Sequence, residues 1–276
     1  MLSSYTYKPI KFFLLTFFLS WLPWFFAIYA SWQPSMQYLL LPLVFVGLSG
    51  PAIAALMMLI KSGNSELLND FFQRLRPSSI KRKFIPIVLL LFPCLILLAI
   101  ILSFFFGQPI NQLFVITQSS DLLLQGISFL TTLFVLFLIG PFEEIGWRGY
   151  GIDSLLEKFN LLKTSLIFGG IWGLWHVPLF FIKDSEIQQV FWGSGLFLTF
   201  LYFTGLLLMS IITNWLYIKN NRSILIAIIF HSNYDICLNI FHITPITWFI
   251  LWLILLLTSV IIIQKNKDVF LKYSEQ

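Results

Sequence analysis

Long apolar runs alternate with short polar gaps along this chain. The runs over residues 10–30, 38–60, 84–106, 122–143, 163–182, 190–215, 223–242 and 245–263 are each long enough, at about 20 residues, to carry a helix across a bilayer. In one gap the pattern changes. Leu67, Leu68, Phe71, Phe72 and Leu75 recur at helical spacing beside Arg74 and Arg76. That spacing predicts an amphipathic helix, lying on the cytoplasmic membrane surface or packed between helices. No internal repeat and no long Gly/Ser or Pro-rich linker interrupts the runs. The pattern therefore predicts an all-α polytopic membrane protein of about eight transmembrane helices. It forms a single domain over residues 1–276, with its polar motif-bearing core at about 122–243.

Composition removes the soluble alternatives. Hydrophobic residues make up 58% of the 276 and charged residues 11%, where a soluble domain carries about 25% charged. Mean hydropathy is +0.88. The net charge of +5 does not point to nucleic acid as a partner, because the basic residues lie in the gaps between spans. With the gaps numbered from the N-terminus, all but one of the 17 Lys and Arg fall in alternate segments, and Lys183 alone lies on the other side. That asymmetry predicts a multi-pass protein of the cell membrane with both termini cytoplasmic and the lipid bilayer as its surroundings. The first run exceeds a signal-peptide core, and Ile28 disfavours cleavage after Ala30, so this segment is expected to be retained. Cys94 and Cys237 fall inside spans without ligand-like spacing and are expected to be buried, structural thiols.

Ionisable groups at membrane depth are costly, so each is a functional hypothesis. Few remain once the gaps are set aside. They are Glu143, Glu144 and Arg148 in "PFEEIGWRGY", His176 in "IFGGIWGLWHVP", and His231 with Asp235 in "IIFHSNYDICLN"; His242 lies near the far end of that last span. Residues four apart on a helix nearly eclipse, so Glu144 and Arg148 pair on one face. Glu143 points instead toward the side of Trp147, free to titrate or to hold a water. Glu143 comes about 20 residues into its span, shallower than the histidines, unless the helix continues past Pro141 to Gly149. Gly169, Gly170 and Gly173 would let a neighbouring helix approach His176 closely. His231, Asp235 and Asn239 form a stripe in which the carboxylate can orient the imidazole.

Taken singly, these groups could be an interfacial charge cluster or interhelical hydrogen bonds. Together they can converge on one water. A glutamate with a histidine makes a general base, and a second histidine with a carboxylate can stabilise an oxyanion or protonate a leaving amine. The same set could also hold zinc through Glu143, His176 and His231. Intramembrane acids and histidines also serve proton relays in transporters, but no repeated or discontinuous spans are evident.

"EEIGWR", "WGLWH" and "HSNYD", in that order, resemble the three motifs of the CPBP family, the CAAX proteases and bacteriocin-processing proteins. Glu143, Glu144 and Arg148 match the first motif, Glu-Glu-x-x-x-Arg. His176 matches the second, with Trp172 where Phe is usual, a change that keeps an aromatic and alters cavity shape. His231 and Asp235 match the third. "SGPAIAALMM" and "FFQRLRP" are weaker echoes.

The resemblance implies a helical fold around a conical cavity. It implies Glu143 with His176 activating water, and His231 with Asp235 on the oxyanion side. It also implies a glutamate mechanism without a cofactor, zinc being the alternative. The function expected is an intramembrane endopeptidase acting on a peptide or membrane-protein tail. A leader peptide, bacteriocin or signalling-peptide precursor is the expected substrate, and non-catalytic immunity is the competing role.

Overall fold

The computed structural model describes residues 5–113, 122–185, 188, 192, 195–241 and 243–272. Among these there are helices and no strand. In chain order they are α1 (Pro9–Ser31), α2 (Leu40–Leu48), α3 (Gly50–Lys61), α4 (Ser65–Arg74), α5 (Ile85–Phe104) and α6 (Leu122–Gly146). A π-helical turn (Trp147–Gly151) then leads into α7 (Ile152–Leu156). The remainder are α8 (Leu161–His176), α9 (Gly195–Lys219), α10 (Ile224–Ile240), α11 (Pro245–Lys265) and the short α12 (Lys267–Leu271). The all-α polytopic expectation holds.

Why the chain breaks where it does is readable in its gaps. Asn64, Asn160, Ser223 and Thr244 each accept a hydrogen bond from a backbone N–H of the helix they precede, satisfying a donor the first turn leaves orphaned. Within α6, Pro141 lacks an N–H but does not end the helix, which runs on to Gly146 and then, through the π turn, past the expected Gly149.

Among the described residues, five helices are long and apolar enough to cross a membrane: α1, the stretch Arg82–Phe104, the stretch Leu161–Phe181, α9 and α11. A sixth is added if the pair Pro34–Leu48 and Gly50–Lys61, bent by 40°, is one span. α10 is apolar but only 17 residues long, and α6 occupies the fourth expected run. Length and apolarity alone therefore do not establish a count of eight.

The outer surface is apolar, as lipid contact requires: Leu14 is 67% exposed and Phe105 83%. The interior holds aromatics around Trp147, whose ring packs against Phe12, Phe13, Phe168 and Trp175. α4 resolves toward interhelical packing. Leu67, Phe71 and Arg74 are buried, while Phe72 remains exposed. Cys237 is buried as expected, but Cys94 is exposed on α5. It sits on an outward face of an apolar helix, where burial in protein does not follow from lying in a span. His242 lies outside the described residues.

Candidate functional site

Three helices bring the charged positions together. α6 supplies Glu143 and Glu144, α8 supplies His176, and α10 supplies His231 and Asp235. α6 and α10 meet closely at Gly140, where a Cβ would collide with the Ser232 hydroxyl. On α8, a Cβ at Gly169 would lie 2.8 Å from the Leu207 backbone of α9 and one at Gly173 2.8 Å from the Phe203 ring. Gly170 faces open space, so two of the three glycines of that run serve close approach.

The two glutamates differ as their helical phases require. Glu144 Oε1 accepts from Arg148 Nη1 at 2.7 Å, the expected pair one turn apart. The same oxygen accepts from His231 Nδ1, also at 2.7 Å, across to α10. Arg148 is held further by donating Nη2 to Asn214 Oδ1 at 3.0 Å, and its guanidinium lies 5.0 Å from the Phe168 ring centre. Asn214 in turn donates to Ser165 and Ser210.

Glu143 is not free, as the spacing led one to expect. Its Oε2 accepts from the indole N–H of Trp147 at 3.1 Å and of Trp172 at 2.7 Å. Trp172 thus does more than shape a cavity. Its backbone carbonyl also accepts from His176 Nδ1 at 2.7 Å. A carbonyl cannot donate, so His176 carries a proton on Nδ1, and in the neutral ring Nε2 keeps its lone pair.

Asp235 is not the group that orients His231. The ring donates through Nδ1 to Glu144, while Nε2 lies 3.4 Å from Asp235 Oδ2 without forming a hydrogen bond. The Tyr234 ring stacks on His231 at 4.8 Å. Asn239 continues the stripe only as a backbone contact, donating to the Asp235 carbonyl at 2.9 Å. Five of the six motif side chains are buried, and Asp235 is half-buried at 18% exposure. A cleft of about 730 Å³ opens elsewhere, around the start of α1 and the Lys61 and Lys158 side chains, and does not include the motif residues.

A second ionic cluster hangs on the same π-helical turn. Arg74 of α4 donates to the carbonyls of Arg148 and Gly149 and to Asp153 Oδ2. Arg222 donates to both Asp153 oxygens. Burial would raise the Asp153 carboxyl above its ordinary range, but the Arg222 and Arg74 guanidiniums reverse this and hold it below. Arg222 is correspondingly raised, chiefly by Asp153.

A model of the type II CAAX prenyl endopeptidase, Rce1-like, matches residues 125–237. A protein of Methanococcus maripaludis named CAAX prenyl protease 2 is 38% identical over 271 residues, covering 98% of this chain and 98% of that relative. The chain belongs to the Rce1-like CAAX endopeptidase family. It is accordingly a protease, an intramembrane endopeptidase whose substrates are peptides, and a multi-pass membrane protein. The matched segment of the Rce1-like model takes in all six motif residues, from Glu143 to Asp235.

Zinc was the alternative for Glu143, His176 and His231. Among the described residues no three His, Cys, Asp or Glu side chains are grouped so as to hold a metal ion. The hydrogen bonds engage only Glu143 Oε2, His176 Nδ1 and His231 Nδ1, so it is the spacing of the groups and not spent donor atoms that argues against an ion. The set does not fit a metal as arranged. Sequence reasoning missed Asn214, which accepts from Arg148, and Ser165 and Ser210, which accept from Asn214. The signal was present, since an Asn in the apolar run "MSIITNWLYI" has no packing reason to be there.

Proposed function

We propose that this chain hydrolyses a peptide bond in the tail of a membrane-tethered peptide, with Glu143 as general base. The observation that carries the proposal is one connected network. Glu143 and His176 are both bonded to Trp172, Glu144 joins Arg148 to His231, and the Trp172 and His231 rings lie 5.6 Å apart. A water between Glu143 and His176 gives a proton to Glu143 while His176 Nε2 accepts its second hydrogen bond. The water oxygen adds to the scissile carbonyl. With Nδ1–H committed to Glu144, a protonated His231 donates Nε2–H to the developing oxyanion beside Asp235. The C–N bond then breaks as Glu143 passes its proton to the leaving amine. No step requires a metal.

The name of the archaeal relative makes a prenylated C-terminal tail the first substrate to try, and a leader or bacteriocin precursor the second. The test is cleavage by the purified chain in vesicles, read by mass spectrometry of the products. Glu143→Gln keeps shape and removes the base, so the rate should fall by about 10²–10⁴-fold. Full activity of Glu143→Gln would refute the base, and no cleavage of any tethered peptide by wild type would favour immunity without catalysis. One zinc per chain, lost together with activity on chelation and restored with it, would replace the glutamate mechanism by a zinc one.

A further inference from the structure

We propose that Trp172, with Trp147, is the positioning element of the water-activating pair, fixing which oxygen of Glu143 and which nitrogen of His176 face the water. The proposal rests on Glu143 being the base, as set out above.

A glutamate side chain does not fix its own carboxylate, because the terminal torsion is broad and two-fold. Here two N–H groups converge on one oxygen. Trp147 and Trp172 both donate to Oε2, and among the described residues Oε1 has no hydrogen-bond partner. An indole nitrogen is a donor only. It cannot take the proton that Glu143 receives, nor can it turn to accept from substrate or water. The clamp therefore holds Oε2 throughout, and Oε1 is the oxygen presented for proton transfer.

Trp172 reaches the second member of the pair through its backbone. Its carbonyl takes the Nδ1 proton of His176, which leaves the Nε2 lone pair to receive a hydrogen bond. One residue sets both groups from opposite ends of its own structure.

The donors are themselves immobile. Trp172 stacks on Phe168 with ring centres 5.9 Å apart and planes 15° from parallel, and Phe168 also packs edge-on to Trp147 at 5.4 Å. Both tryptophans are buried. Neither N–H can follow a carboxylate that rotates away, which is the condition for preorganisation.

A merely structural role is the competing account: two N–H groups solvating a buried carboxylate for stability. The two accounts part in a double-mutant cycle. Trp172→Phe keeps the stack on Phe168 and the carbonyl bond to His176, and deletes only the N–H. We expect kcat to fall by about 10–100-fold, as small misplacements of reacting groups do, with KM and detergent melting temperature unchanged. Trp147→Phe should act in the same direction, and the double substitution should exceed either.

Introduced into Glu143→Gln, Trp172→Phe should cost no further rate, because the base it positions is already gone. Should that residual rate be too slow to follow, Glu143→Asp in single-turnover mode replaces it, and there the effect of Trp172→Phe should likewise shrink. In chain labelled with ¹⁵N-tryptophan, the two indole N–H signals should move together in Glu143→Ala. Wild-type kcat in Trp172→Phe would overturn the proposal, as would an equal loss with and without Glu143, or indole signals indifferent to Glu143→Ala. If Glu143→Gln is dead and Trp172→Phe is normal, the general base stands and only the clamp falls. If Glu143→Gln is fully active, the general base falls first.

Discussion

Two buried ionic clusters flank the π-helical turn, and they are built on opposite principles. Around Asp153, two carboxylates (Asp70, Asp153) meet two guanidiniums (Arg74, Arg222), and both oxygens of Asp153 are engaged. Around Glu144, three carboxylates (Glu143, Glu144, Asp235) face one guanidinium, Arg148. There Glu144 Oε2, Arg148 Nε and Asp235 Oδ2 are buried without a hydrogen-bond partner, against Arg74 Nε alone among the four charged groups of the first cluster. Native interiors pay for few such groups, and they concentrate where chemistry is done. The difference teaches how charge balance separates them: around Asp153 it is matched, as a scaffold requires, while around Glu144 acid is in surplus, as the proposed general-base chemistry would require.

The comparison can be broken most forcefully at Arg148. Arg148→Ala leaves Glu144 buried without its cation, at a cost of about 3–5 kcal/mol, so membrane yield and cleavage should fall together. Combining Glu144→Gln with Arg148→Met removes both charges and should restore yield. It should not restore cleavage, because His231 still loses its carboxylate. Recovery of both would show that the pair is only structural.

Slightly smaller is the expected effect of His231→Ala, about 3–4 kcal/mol in the barrier through the lost oxyanion donor, visible in kcat with the protein still folded. Asp153→Asn should do the reverse. It should cost about 3 kcal/mol in thermal stability, since buried Arg74 is left with Asp70 as its one remaining carboxylate, while the folded fraction keeps its specific activity. A kinetic loss in folded Asp153→Asn would blur the distinction between the clusters.

Acid gives a gentler probe. Because the folded Asp153 carboxyl is held below its ordinary range, its stabilisation is complete above the unfolded value of about 3.9 and is lost as pH falls through the lowered folded one. Wild-type melting temperature should drop in that window, and Asp153→Asn should flatten the drop. Parallel curves would place the acid sensitivity elsewhere. The least energetic test is topological: reporters fused after Gln276 and within residues 107–120 should report opposite faces of the membrane.

Much of the motif cluster was legible because a helix reports its own faces. The spacing of Glu144 and Arg148 implied their pairing, and the 100° step put Glu143 beside Trp147. What one helix meets on another is not encoded in its period. The bond from Glu144 to His231 spans 87 residues and the one from Trp172 to Glu143 spans 29. Both depend on how α6, α8 and α10 cross. The Asp153 cluster was invisible for the same reason. Arg74 and Arg222 read as ordinary loop cations, and only the tertiary fold draws them inward. Spans were legible as apolar runs, but not their number, since α10 shortens to 17 residues where it carries polar groups.

Where the chain turns from Trp147 to Gly151, one extra residue per turn is accommodated, with the Ile152 N–H reaching back to the Trp147 carbonyl. Each residue of an α-helix advances its successors by 100°. The widened turn is therefore a phase shift, and it is what allows one continuous stretch to aim Glu143 and Glu144 at one neighbour and Asp153 at another. Forcing the stretch into an ordinary α-helix at unchanged length should swing everything beyond it by about a quarter turn and carry Asp153 away from Arg74, whereas deleting Gly149 would let the turn close up with the later residues still in phase. For this segment, then, the winding of one turn decides which neighbour each acid meets, and a change of winding would cost more than a change of side chain.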